Sequence, residues 1–214
     1  MNIGILGSGM VAQQLGLGFL KSGHEVKMGT GHPEKLTEWL KQAGARAGVG
    51  SFIEAAEFGE RVVIATKWLG TEAVLDAVGP SRFRGKIVID VTNPLKFGAP
   101  NQPPELAVSY PDSSGLRIQR RLPDAKVVKA FNIINAYYMA NPRWDDGAAD
   151  LFICGNDAAA KKAVTELAAG WGWQAVHDLG GIEQSYLLES LVILWVRWGL
   201  AHNQWTHAFK LLKK

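Results

Sequence analysis

The sequence predicts an α/β fold in which a mostly parallel sheet is doubly wound, with helices on both of its faces. Strand-like runs of apolar, β-branched residues alternate with helix-like segments along most of the 214 residues. The first of these runs leads directly into a glycine-rich turn and a helix-like segment. A strongly apolar segment near the end of the chain predicts, in addition, a short C-terminal helical cap on this Rossmann-type sheet.

The predicted elements follow one another at regular intervals. Seven strand-like runs are expected at Asn2 to Leu6, Glu25 to Gly29, Arg61 to Thr66, Lys86 to Val91, Lys126 to Phe131, Asp150 to Cys154 and Gln174 to Asp178. A fainter strand is expected near Arg46 to Val49. Helix-like segments lie between them, at Met10 to Lys21, Glu34 to Gln42, Thr71 to Val78 and Asp157 to Ala169. In such a sheet, ligands bind at the carboxyl ends of the strands.

The turn after the first strand has the pattern of a dinucleotide site, Gly7-Ser8-Gly9-Met10-Val11-Ala12. Gly7 permits a tight turn out of the strand, and Gly9 allows the backbone to approach a pyrophosphate. Ala12 allows the helix to pack closely against the strand. The pyrophosphate would then lie on the free N–H groups at the helix N-terminus. The alternative is a glycine turn that serves only close packing.

The residues after the second strand indicate which nucleotide is bound. NAD-selective proteins of this fold place a carboxylate at that strand end, and this chain has none there. It has Thr30, whose hydroxyl can donate a hydrogen bond, and Lys35 and His32, which can supply positive charge. These groups suit the 2′-phosphate of NADP, so NADP is favoured over NAD. The alternative is that Thr30 and His32 form a capping turn before Pro33.

A long segment from Thr92 to Pro123 interrupts the alternation, with several X-Pro pairs and one short helix predicted from Ser114 to Leu122. Because it leaves the carboxyl end of a strand, we expect it to border the ligand site; a surface excursion without a chemical role is the alternative. Three arginines of the short helix share a face: Arg117, Arg120 and Arg121. They could meet an anionic substrate tail or form a solvated charged face.

The C-terminal part of the chain is expected to be helical. Apolar residues recur at helical spacing from Leu187 to Ala201 and leave almost no polar face, so this helix should be buried under the domain or between subunits. After a break near His202, the pattern continues through Trp205, Phe209, Leu211 and Leu212. We therefore predict a nucleotide-binding domain at residues 1–180 and a helical segment at residues 181–214 that packs on it and forms a homodimer interface. His202 and His207 could donate protons, and the alternative, which we favour, is that they are packing or interface residues.

Composition excludes several other classes of protein. The net charge is +3 and the basic residues are dispersed, so a nucleic-acid partner is not expected. The single cysteine, Cys154, follows an apolar run and is interpreted as an inert core thiol. Neither a signal-peptide pattern nor an apolar segment long enough for a membrane is found, so we expect a cytoplasmic protein without a membrane partner. Metal-ligand spacing is also absent.

Together these motifs resemble those of the NADP oxidoreductases that act with the deazaflavin coenzyme F420, a family whose nucleotide domain is shared with membrane metalloreductases. The resemblance covers nearly the whole chain. Beyond the glycine turn, it rests on Gly23-His24-Glu25, Thr30 to Lys35, Ala65-Thr66-Lys67-Trp68, Asp90-Val91-Thr92-Asn93-Pro94, Lys129-Ala130-Phe131-Asn132 and Leu188-Glu189-Ser190-Leu191.

The resemblance implies where the coenzyme lies. The nicotinamide would be near Thr66, Asn93 and Asn132. The side-chain amides of Asn93 and Asn132 could hold its carboxamide, or they could instead close turns by bonding their own backbone. The expected cofactor-binding residues are Gly7, Ser8, Gly9, Met10, Val11, Thr30, Gly31, His32, Lys35, Ala65, Thr66, Lys67, Asn93, Pro94 and Asn132.

Two residues depart from the family's pattern. Relatives usually have an arginine after the Ser or Thr that follows the second strand, where it binds the 2′-phosphate, and this chain has Gly31. Relatives usually have proline before the tryptophan of the loop after the fourth strand, and this chain has Lys67. Lys35 matches the family's lysine.

We therefore predict an NADP(H)-dependent oxidoreductase that transfers hydride between the nicotinamide and a flat, conjugated small-molecule substrate such as a deazaflavin. Hydride transfer often needs no acid or base from the protein, so no catalytic residue is assigned. Coenzyme F420 is the family's example of a co-substrate. The alternatives are a small NADPH-dependent reductase of imines, carbonyls or flavins, and a module that senses NADP without turnover.

Overall fold

The computed structural model describes residues 1–99, 102–145, 147–212 and 214. Pro100, which belongs to the predicted long loop, and Lys213 lie outside the described residues. The strands are β1 (Asn2–Leu6), β2 (Glu25–Gly29), β3 (Ala47–Gly50), β4 (Arg61–Ile64), β5 (Ile87–Asp90), β6 (Leu95–Lys96), β7 (Glu105–Leu106), β8 (Lys126–Lys129), β9 (Arg143–Trp144), β10 (Gly147–Ala148), β11 (Asp150–Gly155) and β12 (Ala175–Asp178). The helices are α1 (Met10–Lys21), α2 (Thr37–Ala43), α3 (Phe52–Phe58), α4 (Trp68–Val78), α5 (Ser114–Arg121), α6 (Ala158–Trp171) and α7 (Ser185–His202).

Eight strands form one sheet in the order β12-β11-β8-β5-β4-β1-β2-β3. Neighbouring strands are parallel from β8 through to β3, as predicted. β11 is antiparallel to β8, and β12 is parallel to β11. A parallel return would need a crossover, usually a helix. The described residues between β8 and β11 form only a short 3₁₀ turn and the β9–β10 hairpin, so the chain reverses here.

Helices cover both faces of the sheet, which confirms the predicted doubly wound fold. On one face, Leu15 and Phe19 of α1, Trp39 of α2 and Val164 of α6 form a core with the inward side chains of the strands. On the other face, residues of α3, α4, α5 and α7 form a second core. Gly4 of β1 faces this second core, where a Cβ would stand 2.0 Å from the Ala55 carbonyl oxygen of α3. A glycine is therefore required for α3 to approach the sheet.

Three predictions about local structure are wrong. Helix α3 was not predicted, although Ser51 and Glu54 form a capping box at its start. The predicted helix at Glu34 to Gln42 begins instead as a 3₁₀ turn (Pro33–Leu36) and continues as α2. The segment after His202 is not helical, because Asn203 adopts a left-handed conformation (φ 47°) that ends α7.

The residues after α7 form an extended tail, defined as residues 203–212, that packs back onto the domain. Three consecutive carbonyl groups of the tail accept hydrogen bonds from side chains of the preceding chain. Asn135 Nδ2 donates to the Trp205 carbonyl, the Trp144 indole to that of Thr206 and the Trp195 indole to that of His207. The Asp150 N–H, at the start of β11, donates to the Phe209 carbonyl. Backbone pairing to side chains therefore replaces the predicted helical hydrogen bonds.

Helix α7 packs against the domain on one side, and its opposite side is exposed in the single chain. Leu188, Glu189, Val192 and Trp195 face the domain. An exposed apolar stripe, here called the α7 stripe, runs along the other side and consists of Leu187, Leu191, Leu194 and Trp198; Leu187, Leu194 and Trp198 are 39%, 54% and 38% exposed. Among the described residues, none of the helices has the length and apolar character needed to cross a membrane.

Candidate coenzyme site

A cavity of about 620 Å³ opens at the carboxyl ends of β1, β2 and β4. Ten of the sequence-predicted residues line it: Gly7, Ser8, Gly9, Thr30, Gly31, His32, Lys35, Ala65, Thr66 and Lys67. Three lining residues were not predicted, namely Phe52, Gly70 and Val74. Phe52 begins the helix that sequence reasoning missed, and the capping-box spacing of Ser51 and Glu54 is the signal that could have found it.

The two glycines of the turn meet different surroundings. Gly7 has φ +138°, and a Cβ there would stand 2.5 Å from the Ala65 carbonyl oxygen, so the turn excludes other residues. Gly9 has φ −75°, and a Cβ there would meet nothing within 4 Å. Only Gly9 therefore leaves open space above the start of α1.

The N-terminus of α1 is suited to bind an anion. Gly9 is its N-cap residue and supplies no side-chain hydrogen bond, and the first turn holds no acidic residue. The first N–H that bonds back within the helix is that of Gln13, to the Gly9 carbonyl, so the earlier N–H groups, including those of Met10 and Val11, have no intrahelical partner. These donors and the open space at Gly9 fit the diphosphate of a dinucleotide.

A chain of hydrogen bonds links the glycine turn to the loop after β2. The His32 N–H donates to Thr30 Oγ1 (3.0 Å), and the Thr30 hydroxyl donates to Ser8 Oγ (2.9 Å). Thr30 is 7% exposed, so its single hydroxyl proton is directed to Ser8 rather than to the cavity. The Ser8 hydroxyl proton is thereby left to donate to a ligand.

Positive charge borders the β2 side of the cavity. Lys35 and His32 both line it, and Nδ1 of His32 lies 3.3 Å from Oε1 of the exposed Glu34. Gly31 lies between Thr30 and His32, and a Cβ added there would meet nothing within 4 Å. The loop therefore has room for a bulky anionic group beside the Lys35 ammonium and the His32 imidazole.

The loop after β4 supplies the opposite wall. Lys67 is the N-cap residue of α4, and its carbonyl accepts a hydrogen bond from the Thr71 hydroxyl (3.1 Å). The Thr66 hydroxyl lies 2.8 Å from that of Thr71. Trp68, the first residue of α4, is buried in the core.

Asn93, Pro94 and Asn132 come together next to this cavity but do not line it. The two residues bind each other. Asn93 Nδ2 donates to the main-chain carbonyl of Asn132 (2.8 Å), and Asn132 Nδ2 donates to Asn93 Oδ1 (2.8 Å). Asn132 Nδ2 also donates to the Leu188 carbonyl of α7 (3.1 Å). Asn132 Oδ1 is buried without a hydrogen-bond partner among the described residues, so one acceptor of the pair is left over.

Phe131, immediately before this pair, is a bulky residue with φ +60°. Such a conformation costs energy and persists only where the surrounding structure enforces it. Here the Phe131 ring packs against Trp171 and Trp173, at centroid distances of 5.3 and 6.1 Å. The strain turns the chain sharply at the end of β8 and directs Asn132 toward α7.

The arginine face of α5 is paired with carboxylates. Arg117 Nε donates to Asp112 (2.8 Å), and Arg120 lies 3.3 Å from the same carboxylate. Burial alone would raise the pKa of Asp112, but hydrogen bonds from Arg117 and the Ser113 N–H hold it below its ordinary value. Arg121 lies 3.5 Å from Glu72. This arrangement favours the charged-face interpretation over an anion site.

The remaining candidate groups have structural roles. His202 stacks on Trp198 at 4.2 Å, and His207 stacks on Trp195 at 4.6 Å. Burial raises the pKa of the Cys154 thiol to about 12, so it stays protonated and unreactive at neutral pH. Within residues 1–99, 102–145, 147–212 and 214, His, Cys, Asp and Glu form no group able to hold a metal ion.

The fold and this cavity define a dinucleotide-binding α/β protein, and comparison with known proteins shows its family. Residues 2–94 match the family model described as NADP oxidoreductase coenzyme F420-dependent. The chain is 30% identical over 207 residues to the F420-dependent NADP reductase of Methanocaldococcus jannaschii, an alignment that covers 91% of this chain and 90% of that one. The chain belongs to this family of NADP-dependent oxidoreductases, which confirms the resemblance and the choice of NADP.

Other known proteins align with this chain over part or nearly all of their length. Metalloreductase STEAP3 of Rattus norvegicus is 30% identical over 190 residues, which are 88% of this chain and 36% of that one. The chain thus spans about a third of that relative's length. The crystal structure of a candidate F420-dependent NADP-reductase from Arthrobacter sp. FB24 superposes with a TM-score of 0.93 at 36% identity, over 99% of both chains. An imine reductase of Streptomyces aurantiacus (TM-score 0.63, 16% identity, 91% of this chain and 62% of that one) shares the fold.

Proposed function

We propose that the protein binds NADP(H) in the cavity at the ends of β1, β2 and β4 and exchanges hydride with a deazaflavin. When bound, NADPH supplies the hydride. The observation that carries this proposal is the space at Gly9, where unpaired N–H groups of α1 face a cavity that none of the described residues fills. The family supports NADP as the coenzyme, and the similarity to the M. jannaschii reductase supports a deazaflavin as its partner.

The residues that would hold the coenzyme divide into three groups. Backbone N–H groups at Gly9, Met10 and Val11, with the Ser8 hydroxyl, would bind the diphosphate. Lys35 and His32, with the space at Gly31, would bind the 2′-phosphate, because charge-assisted hydrogen bonds to phosphate are strong. Ala65, Thr66 and Lys67 would border the ribose of the nicotinamide half.

The nicotinamide end is proposed to meet the third group of predicted residues, Asn93, Pro94 and Asn132. Asn132 Oδ1, the acceptor left without a partner, could accept a carboxamide N–H if the side chains shift on binding. Asn93 retains one amide proton beyond the one it donates to the Asn132 carbonyl. These contacts would orient the ring, and orientation is the main requirement of hydride transfer.

The test is a binding and turnover experiment with the purified chain. We expect NADPH to bind more tightly than NADH in a fluorescence titration, because of the 2′-phosphate contacts. We expect NADPH absorbance to fall when an oxidised deazaflavin is added. If NADPH binds and is oxidised only by an imine, a carbonyl or a flavin, the alternative reductase is correct. If NADPH binds and none of these compounds oxidises it, the protein senses NADP without turnover.

A homodimer formed through the α7 stripe is part of this proposal. The stripe is an exposed apolar row on a helix whose other side is fully packed, and a symmetric pair would bury it. The division into residues 1–180 and 181–214 and the cytoplasmic location stay predictions.

A further inference from the structure

A fully buried cluster of three charged side chains lies beneath the Asn93–Asn132 pair. It consists of Lys129 at the end of β8, Asp90 at the end of β5 and Glu189 of α7, each 0% exposed. Lys129 Nζ lies 2.9 Å from Asp90 Oδ2 and 3.1 Å from Glu189 Oε1. It also donates to the Thr92 carbonyl (2.6 Å) and to Ser114 Oγ (2.9 Å). The ammonium therefore connects four elements of the structure.

Both carboxyl groups of this cluster are surrounded by hydrogen-bond donors. Asp90 Oδ1 accepts the Thr92 N–H (2.8 Å), and Asp90 Oδ2 accepts from Lys129. Glu189 Oε2 accepts the Ser114 N–H (3.0 Å). Its Oε1 accepts the Ser114 hydroxyl proton (2.6 Å) and the Gly115 N–H (3.1 Å), and lies 3.1 Å from Lys129 Nζ. Backbone N–H groups and an ammonium can only donate, so every carboxylate oxygen faces a proton that belongs to another group.

The lysine is charged as well. Burial alone would lower the pKa of Lys129, but the carboxylates of Asp90 and Glu189 outweigh that effect and raise it. One positive and two negative formal charges leave the cluster with one net negative charge. Glu189 additionally lies at the N-terminus of α5, which stabilises its charge without changing that count. Because the cluster is buried, solvent and salt screen its field only weakly.

The cluster is joined directly to the proposed nicotinamide end of the site. Thr92, whose carbonyl accepts from Lys129, precedes Asn93. Leu188, whose carbonyl accepts from Asn132, precedes Glu189. The cluster is therefore connected to both amides proposed to hold the ring, to Asn93 through Thr92 and to Asn132 through Leu188.

We propose that this buried anionic cluster makes the protein bind the oxidised coenzyme more favourably, relative to the reduced one, than a neutral site would. The inference rests on the proposed function, which places the nicotinamide near Asn93 and Asn132. Hydride donation breaks a C–H bond, and both its electrons pass to the acceptor with the hydrogen, so the neutral ring becomes a cation. A fixed negative charge nearby stabilises that cation and favours transfer toward the acceptor.

The test compares dissociation constants, which do not depend on turnover. Calorimetry would give Kd for NADP⁺ and for NADPH with the wild-type protein and with Glu189→Gln, Asp90→Asn and the control Glu166→Gln, an exposed residue of α6. Each buried substitution removes one negative charge. We expect the ratio of Kd for NADP⁺ to Kd for NADPH to rise roughly fivefold to tenfold in both, at low and at high salt, and to stay constant in the control.

Several outcomes would overturn the inference. An unchanged ratio in folded variants would do so, as would equal weakening of both coenzymes, which indicates that the cluster only positions the loop. If neither variant folds, the wild-type protein decides: we expect NADP⁺ to bind it at least as tightly as NADPH, and a clear preference for NADPH contradicts the inference. A wild-type protein that binds neither coenzyme would refute the proposed function instead.

Discussion

Gly7 and Gly9 lie in one turn but tolerate different substitutions. Gly9→Val would place side-chain atoms in open space in a conformation that valine can adopt, so we expect the fold to be retained. The same atoms would occupy the proposed diphosphate position, and NADPH should bind roughly 100-fold more weakly. Fluorescence titration and thermal unfolding measure the two effects.

Gly7→Ala is the matched comparison. Its Cβ would collide with the Ala65 carbonyl, and its φ of +138° is unfavourable for alanine. We expect a loss of at least about 1–2 kcal/mol in the free energy of unfolding, measured by denaturant titration. Wild-type NADPH affinity in Gly9→Val, or wild-type stability in Gly7→Ala, would contradict the assigned roles of these glycines.

Gly31 provides a test in which affinity should increase. Gly31→Arg restores the arginine that relatives usually have, at a position where a side chain meets nothing within 4 Å. The added guanidinium should strengthen NADPH binding about tenfold and leave NADH binding nearly unchanged, because only NADPH carries the 2′-phosphate. Gly31→Ala is the control. Equal gains for both coenzymes would show that the 2′-phosphate lies elsewhere.

At the residue scale, the glycine turn was predictable because each glycine has a local steric reason. The role of Thr30 was not, since the sequence shows a hydroxyl but not that Ser8 accepts its proton. The Asp90–Lys129–Glu189 cluster was also beyond prediction. Its members are far apart in the sequence. The register of β5 and β8 pairs Asp90 with Lys129, and the position of α7 adds Glu189.

The α7 stripe belongs to the scale of a single helix. Leu194→Arg replaces an exposed leucine, so the fold of one subunit should lose less than about 0.5 kcal/mol. If two stripes pack together in the dimer, the arginine buries an unpaired charge, and the sedimentation coefficient should fall to that of a monomer. Leu212→Arg, at an exposed leucine of the tail, is the control. A wild-type monomer, or a dimer that persists in Leu194→Arg, would show that the stripe does not form the interface.

The elements were predicted with uneven success for physical reasons. Most strands agree with the predicted runs within two residues, because their apolar, β-branched pattern is strong. Helix α3 is only seven residues long, too short to show an apolar repeat, and its capping box was the available signal. The tail repeats apolar residues at helical spacing, yet it does not form a helix. Its carbonyl groups instead accept hydrogen bonds from side chains elsewhere in the domain.

For the whole molecule, Asp150 links the tail to the sheet and makes that link sensitive to acid. Its carboxylate lies 2.8 Å from His177 Nε2 and accepts the Leu211 N–H (2.9 Å). Burial alone would raise the pKa of Asp150, but these hydrogen bonds hold it below its ordinary value. A lowered folded-state pKa gives a stabilisation that is present above the unfolded value of about 3.9 and is lost as pH falls through the folded value.

Asp150→Asn should therefore lower the free energy of unfolding at pH 7 by about 1–3 kcal/mol. The difference between variant and wild type should shrink as the pH falls below about 4, where the wild-type carboxylate takes up a proton. Denaturant titrations between pH 3 and pH 7 measure it. A difference that stays constant across that range would show that the charge of Asp150 does not hold the tail.

The reversal of β11 also determines where the two ends of the molecule lie. β11 is antiparallel to β8, so its first residue, Asp150, extends past the carboxyl end of β8, and the tail docks there. Met1 precedes β1 and therefore lies at the opposite edge of the sheet. When the protein is immobilised on a sensor chip, an N-terminal affinity tag should leave the coenzyme edge facing the solution, whereas a tag after Lys214 would turn that edge toward the surface.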